Sequence, residues 1–221
     1  MTGICYIVGA GAVPELTLEA GERDFVIAAD AGYRHLSVLS AVADLVVGDF
    51  DSLGFRPNHP NVIQHPPEKD ETDMMLAITE GLRRSYKKFV LLGGLGGRLD
   101  HTMANIQALN YLAAKNARGY LLGDGTAATV IRNGSLSFDS GREGSVSVFS
   151  IGESAMGVTL RGLKYELKNA TLKDTFPLGA SNAFTGAPGE VSVISGSLLV
   201  IWEENAADVI DSLKESCYSA T

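Results

Sequence analysis

Cysteine is nearly absent: two occur in 221 residues, Cys5 and Cys217, at opposite ends of the chain. No CxxC pair and no thiol–imidazole spacing accompanies them, which argues against a disulfide framework or a zinc site. Reduced thiols of a cytoplasmic protein are expected instead. Basic residues are also few, 18 Lys and Arg against 26 Asp and Glu, for a formal net charge of −8. A nucleic-acid backbone calls for a basic patch, so nucleic acid is not an expected partner. No apolar run approaches ~18 residues, so no membrane span is expected either. The apolar stretch from Met1 to Val13 lacks a basic leader and a small-residue cleavage pattern, and reads as a first buried strand. Two nucleotide fingerprints are missing as well. No Gly-Lys-Ser/Thr occurs, which excludes a P-loop, and Pro14 stands where Gly9-Ala10-Gly11 would need a third glycine. That segment reads as a tight turn, with at most a minor role near substrate.

What is present is a rhythm that changes once. Ile4–Val8, Phe25–Ala29, Leu45–Val47, Lys88–Leu92 and Tyr120–Leu122 are short, apolar and often β-branched. Strands covered on both faces have this composition. Between them, Tyr33–Val42, Asp73–Arg84 and His101–Lys115 carry apolar residues at helical spacing, with Met75, Ile78, Thr79 and Leu82 expected to form the buried face of the second. Such alternation predicts an α/β domain with a mainly parallel, Rossmann-like sheet over residues 1–123. From residue 124 to 204 the chain becomes short alternating segments, among them Ser145–Ser150, Leu163–Leu167 and Val191–Ile194, broken by turns such as Asn133-Gly134 and Ser195-Gly196. That pattern predicts a C-terminal antiparallel β-sandwich. The tail, 205–221, has helical spacing at Val209, Ile210 and Leu213.

The chemistry sits at the predicted strand exits. Asp30 follows one, Asp49-Phe50-Asp51 another, and Lys69-Asp70-Glu71-Thr72-Asp73 opens the second helix. In an open α/β sheet such positions face one crevice, where ligands bind. Like charges gathered there repel unless cations balance them, and hard carboxylate oxygens suit Mg²⁺ carrying a polyphosphate. The two-residue period of extended backbone would turn Asp49 and Asp51 to the same side. Asp and Thr residues at a helix start also serve as N-caps. The full set of Lys69, Asp70, Thr72 and Asp73 is more than a cap needs, and suggests carboxylates for metal with Lys69 and Thr72 for phosphate. Gly93-Gly94-Leu95-Gly96-Gly97 then follows a strand, and Arg98, Asp100 and His101 lead into the third helix, with Asn105 one turn on. Its glycines, Gly94 and Gly96 among them, let the backbone approach phosphate, and Arg98 adds a planar fork of donors. Asp100 or Thr102 is expected to cap that helix, and His101 reads as a positioning group.

Taken in order, these four segments resemble the thiamin pyrophosphokinase family, and the likeness continues weakly through Gly162-Leu163-Lys164-Tyr165 and Ser181-Asn182-Ala183-Phe184. The resemblance implies a homodimer that uses ATP and Mg²⁺ to make thiamin diphosphate, with the thiamin site between subunits. It implies Asp49, Asp51 and Asp73 as Mg²⁺ carboxylates, Asp100 beside them among the catalytic residues, and Asp30, Lys69, Asp70, Thr72, Gly94, Gly96, Arg98, His101 and Asn105 on the ATP side. Ser181, Asn182 and Phe184 would line the thiamin pocket. Ala31, Glu166 and Ala183 depart from the family pattern, leaving the catalytic motifs untouched and bearing only on the detail of that pocket. Two other readings share parts of this evidence. A DxD nucleotide-sugar transferase would also use Mg²⁺ on an α/β sheet, but has no need of Gly-Gly-Arg-x-Asp-His. A non-catalytic thiamin or nucleotide sensor has no need of so many carboxylates.

Overall fold

Apolar runs too short for helices, separated by amphipathic stretches, settle as parallel strands with helices packed over them. The computed structural model describes residues 3–66 and 68–218, so Met1 and the end of the expected tail lie outside the described residues. The first half gives β1 (Ile4–Val8), β2 (Phe25–Ala29), β3 (Leu45–Gly48), β4 (Val62–Gln64), β5 (Lys88–Leu92) and β6 (Arg118–Gly123), all paired in parallel. Helix α1 (Asp73–Arg83) and helix α2 (Leu99–Ala114) lie between them. The second half adds β7 (Thr126–Arg132), β8 (Ser135–Phe138), β9 (Ser145–Ser150), β10 (Ala155–Arg161) and β11 (Leu167–Leu172). It closes with β12 (Gly179–Ala183), β13 (Gly189–Ser192), β14 (Ser197–Glu203) and helix α3 (Ala206–Tyr218). No helix among the described residues is long and apolar enough to cross a membrane.

One ten-stranded sheet runs β12-β9-β14-β7-β6-β5-β1-β2-β3-β4, and a four-stranded antiparallel sheet runs β11-β10-β13-β8. Strand alternation divides the core between the two faces of the large sheet. Cys5 and Ile7 of β1 share a cluster with Ile78 of α1 and Leu109 of α2, whereas Ile4, Tyr6 and Val8 belong to the cluster on the other side. That second cluster also holds Val158 and Leu160 of β10 together with Val148 of β9 and Val200 of β14, so the small sheet covers the antiparallel half of the large one.

At residue 123, where the rhythm changes, the sheet is continuous. Tyr120 pairs with Thr129 and Gly123 with Thr126 across a two-residue Asp124-Gly125 loop. Gly125 has a φ of 65°, the left-handed conformation such a loop requires. A loop this short can only join adjacent antiparallel strands, so β7, β14, β9 and β12 extend the parallel sheet.

Three helical expectations are corrected. Tyr33–Val42 is not an α-helix: a 3₁₀ turn spans Asp30–His35 and hydrogen-bonded turns follow. Leu36 and Leu39 still cover the sheet, but Val38 and Val42 face solvent. The buried face of α1 is Met74, Ala77, Ile78 and Gly81, one step round from the expected stripe. Gly81 explains the rotation, since a Cβ there would lie 2.5 Å from the Phe89 ring, so the helix sits on its smallest residues. Helix α2 begins at Leu99, with Arg98 as its N-cap and no side-chain cap from Asp100 or Thr102. The strand expected over Leu163–Leu167 is displaced to β11, Leu167–Leu172, with Leu163 forming only an isolated bridge to Phe184. Two further strands were not expected at all. β4 is three residues long, and β12 is a polar edge strand with a register irregularity.

Candidate active site

The carboxyl ends of β1, β2, β3 and β5 deliver their loops to one side of the sheet, and the loops enclose a cleft of about 480 Å³. Its wall includes Asp30, Thr72, Asp73, Gly94, Gly96 and Arg98, all expected on the nucleotide or metal side. His101 and Asn105 complete that wall. Gly9 and Gly11 also line it, and there the sequence signal was present but read as a turn of minor importance. The amide of Gly11 donates to the Gly93 carbonyl at 2.9 Å, and a Cβ on Gly93 would approach the Gly9 carbonyl oxygen to 2.4 Å. Both loops must therefore be glycine-rich to lie against each other at the floor of the cleft. Ser52 and Met74 are further wall residues that the motifs did not single out.

Asp30, Asp49 and Asp51 bring one carboxylate oxygen each to within 4.8 Å of one another. They meet by turn geometry, not by strand alternation. Phe50 has a φ of 66° and buries its ring, and the Asp51 amide donates to Asp49 Oδ1 at 3.2 Å. This Asx turn corrects the expectation of an extended Asp-Phe-Asp, because left-handed backbone at Phe50 removes the two-residue period. Asp30 is itself left-handed, with a φ of 46°, and is only 6% exposed. Its buried Oδ1 has no hydrogen-bond partner. A buried carboxylate oxygen without a donor, facing two more carboxylates, fits a hard divalent cation such as Mg²⁺.

Asp73, expected in the metal set, stands beside this trio. The Lys69 ammonium lies 2.7 Å from Asp49 Oδ2 and 2.8 Å from Asp73 Oδ1, joining the two. The Lys69 bond holds the Asp49 carboxyl below the usual range. Burial pushes Asp73 up, and the negative charges of Asp49 and Asp30 add to this, outweighing Lys69. Thr72 caps α1, its hydroxyl accepting from the Met75 amide at 3.2 Å. Asp70 is exposed and outside the cleft wall.

On the opposite wall, Asn105 is buried and donates from Nδ2 to the Gly94 carbonyl at 2.9 Å, bracing the glycine loop from α2. Arg98 and Asp100 form a two-pronged pair at the rim, with Arg98 Nε to Oδ1 at 3.1 Å and the second prong to Oδ2 at 2.6 Å. The guanidinium holds the Asp100 carboxyl at about 2, which makes Asp100 a poor proton acceptor. His101 is exposed, and its backbone amide donates to Asp100 Oδ1.

Ser181, Asn182 and Phe184 lie elsewhere. They sit on or just after β12, the far edge of the large sheet. Five strand spacings separate β12 from β5, about 24 Å at ~4.8 Å each. Ser181 is exposed there with a φ of 57°. Asn182 is buried, accepting from the Tyr165 amide and donating to its carbonyl at 2.7 Å, so it anchors the Tyr165 loop. Phe184 packs edge-on against Phe138 at 4.9 Å. Exposed Tyr165, Phe176 and Leu178 give this edge an apolar surface.

Comparison with known proteins agrees with the geometry. The model of the thiamin pyrophosphokinase catalytic domain matches residues 17–121, and that of the thiamin pyrophosphokinase vitamin B1 binding domain matches 135–198. A thiamine pyrophosphokinase of Bacillus subtilis strain 168 is 26% identical over 196 residues, 86% of this chain and 92% of that protein. The crystal structure of thiamine pyrophosphokinase from Bacillus subtilis superposes with a TM-score of 0.80 at 26% identity, covering 90% of this chain and 98% of that one. The thiamin pyrophosphokinase structure from Geobacillus thermodenitrificans gives 0.78 at 27% identity, covering 92% and 99%. With both family models matched in order along a shared fold, the chain belongs to the thiamin pyrophosphokinase family of enzymes.

Proposed function

We propose that this enzyme works as a cytoplasmic homodimer. It transfers the β,γ-pyrophosphoryl group of ATP to the hydroxyl of thiamin, giving thiamin diphosphate and AMP in a Mg²⁺-dependent reaction. The observation that carries the nucleotide side is the cleft in which Asp30, Thr72, Gly94, Gly96, Arg98 and Asn105 converge beside three clustered carboxylates. Asp30, Asp49 and Asp51 would hold Mg²⁺, with Asp73 next to them. The bound ion would neutralise phosphate charge as the leaving oxygen departs. The glycine loop offers its amides to the phosphates and Arg98 its fork, released from Asp100. The thiamin hydroxyl oxygen bonds to the β phosphorus, the bond from that phosphorus to the oxygen bridging to the α phosphorus breaks, and AMP leaves. The hydroxyl proton passes to a cleft carboxylate, and Asp73 is the one whose burial raises its proton affinity. An acidic cleft also attracts the positively charged thiazolium ring of thiamin.

In this reading residues 1–123 serve ATP, and 124–204 serve thiamin and dimerisation. Some 24 Å of sheet within one chain is too far for one active site to use both sets. A second subunit placing its β12 edge over the cleft supplies the missing half, and its exposed Tyr165, Phe176 and Leu178 suit such a contact.

Nucleotide chromatography of a single-turnover mixture tests the reaction. AMP and thiamin diphosphate are expected in equal amounts, with no thiamin monophosphate. ADP as the main product would overturn the regiochemistry, and no turnover of thiamin would overturn the substrate. Mixed dimers test the shared site. Asp49→Asn and Ser181→Trp homodimers are each expected to be inactive, the second because the indole blocks the edge. Co-refolded in equal amounts they should regain about a quarter of wild-type turnover, since half the dimers carry one intact composite site. Absence of any recovery, with mixed dimers demonstrated by mass, would place the whole site within one chain.

A further inference from the structure

Arg34 belongs to none of the motif segments and does not line the cleft, yet it ties together the two segments that carry the clustered carboxylates. It stands four residues after Asp30 on the same 3₁₀ turn, Asp30–His35. One terminal nitrogen of its guanidinium donates to the Ser52 carbonyl at 3.3 Å and to the Leu53 carbonyl at 3.0 Å. Those carbonyls close the loop that begins with Asp49 and Asp51. Inside the loop, the Gly54 amide lies 3.1 Å from the Phe50 carbonyl and 3.2 Å from that of Asp51. The next two carbonyls are met from outside the loop, by Arg34.

The turn that carries Arg34 is itself firmly seated. Gly32 packs so closely on β1 that a Cβ would lie 1.9 Å from the Val8 carbonyl oxygen, and His35 Nε2 lies 3.2 Å from the Ala10 carbonyl. At the other end of the tie, the Ser52 hydroxyl donates to Asp51 Oδ1 at 3.1 Å. Holding the Ser52 backbone therefore holds the hydroxyl that orients Asp51. A restraint is needed there. Asp30, Asp49 and Asp51 place carboxylate oxygens within 4.8 Å of one another, the buried Asp30 Oδ1 has no donor, and like charges drive the two segments apart. An untied loop would relax away from Asp30, and drawing it back would consume part of the free energy of metal binding.

Resting on the Mg²⁺ role proposed above for Asp30, Asp49 and Asp51, we infer that Arg34 is a positioning residue for the metal site. It sets the separation of the Asp30 turn from the Asp51 loop, through the Ser52 and Leu53 carbonyls. The sign of its effect separates this role from simple electrostatics. A fixed cation beside a metal site opposes metal binding by charge alone, so removing it would tighten binding. Removing a positioning tie weakens it.

Arg34→Met keeps the exposed stem and removes both charge and donors. Titration with Mn²⁺, followed by electron paramagnetic resonance without nucleotide, should show a Kd raised about 10-fold, with the circular-dichroism spectrum unchanged. The Mg²⁺ concentration for half-maximal turnover should rise by a similar factor, and saturating Mg²⁺ should restore turnover. Ser52→Ala should weaken Mn²⁺ binding in the otherwise native chain and weaken it less when Arg34→Met is already present, because both act through one link. Unchanged or tighter Mn²⁺ binding in Arg34→Met would overturn the positioning role. Independent, additive losses in the double variant would overturn the route through Ser52. A loss of turnover that Mg²⁺ does not restore, with Mn²⁺ binding intact, would make Arg34 a substrate contact instead. Failure of the unaltered protein to bind Mn²⁺ would overturn the metal reading itself, and the role of Arg34 with it.

Discussion

Asp49→Asn and Asp51→Asn are each expected to lower turnover by on the order of 10²- to 10³-fold while the protein stays folded. Their carboxylates lie with that of Asp30 within 4.8 Å, and the buried Asp30 oxygen has no donor of its own. An amide keeps the size of each side chain but offers a hard cation a neutral oxygen. Asp30→Asn should behave alike, although its amide can also acquire an internal partner. Binding of Mn²⁺, followed by electron paramagnetic resonance in the absence of nucleotide, should fall in parallel with turnover. Near-wild-type turnover in two of the three variants would remove the metal assignment. Loss of turnover with Mn²⁺ binding intact would move these carboxylates from metal holding to substrate contact.

Gly32→Ala is expected to cost more than about 4 kcal/mol, enough to deplete folded protein. A Cβ at Gly32 would lie 1.9 Å from the Val8 carbonyl oxygen and 2.6 Å from its carbon. Both groups are backbone, at the crossing of the 3₁₀ turn over the end of β1, so no rotamer change relieves the clash. Gly54→Ala makes the contrast. It has a φ of 72° but nothing within 4 Å of a new Cβ, and should cost only the left-handed penalty of about 1 to 2 kcal/mol. Urea denaturation of the two variants checks the difference. Equal costs would mean that the turn over β1 shifts freely, and with it the position of Asp30.

The carboxylate segments were legible because each follows a buried strand whose composition is unambiguous. β1, β2 and β5 have the limits read from their apolar runs, so Gly9, Asp30 and Gly93 fall at strand exits as expected. What could not be read is how the exits turn. The left-handed backbone of Asp30 and Phe50 groups Asp30 with Asp49 and Asp51, and neither residue type announces that conformation. The same turn at Asp30 also ends the expected Tyr33–Val42 helix, because the chain is held down on β1 at Gly32 and cannot continue a regular spiral. β12 was missed because Gly179-Ala180-Ser181-Asn182-Ala183 lacks β-branched residues, and its pairing to β9 decides its conformation. The Asp124-Gly125 pair is a hairpin signature at the very point where the strand rhythm changes, so one sequence feature masks the other. The bonds of the Asn182 amide to the Tyr165 backbone are likewise set by the fold and not by any local signal.

The unbroken pairing through Asp124-Gly125 has a mechanical consequence. A sheet stitched across that loop by Tyr120–Thr129 and Leu122–Ala127 pairs behaves as one stiff plate, with no hinge between its parallel and antiparallel halves. The spacing between cleft and far edge is then a fixed length of the chain, like the span of a beam. Closure over bound substrates cannot come from folding the plate. It is left to the glycine loops at the rim.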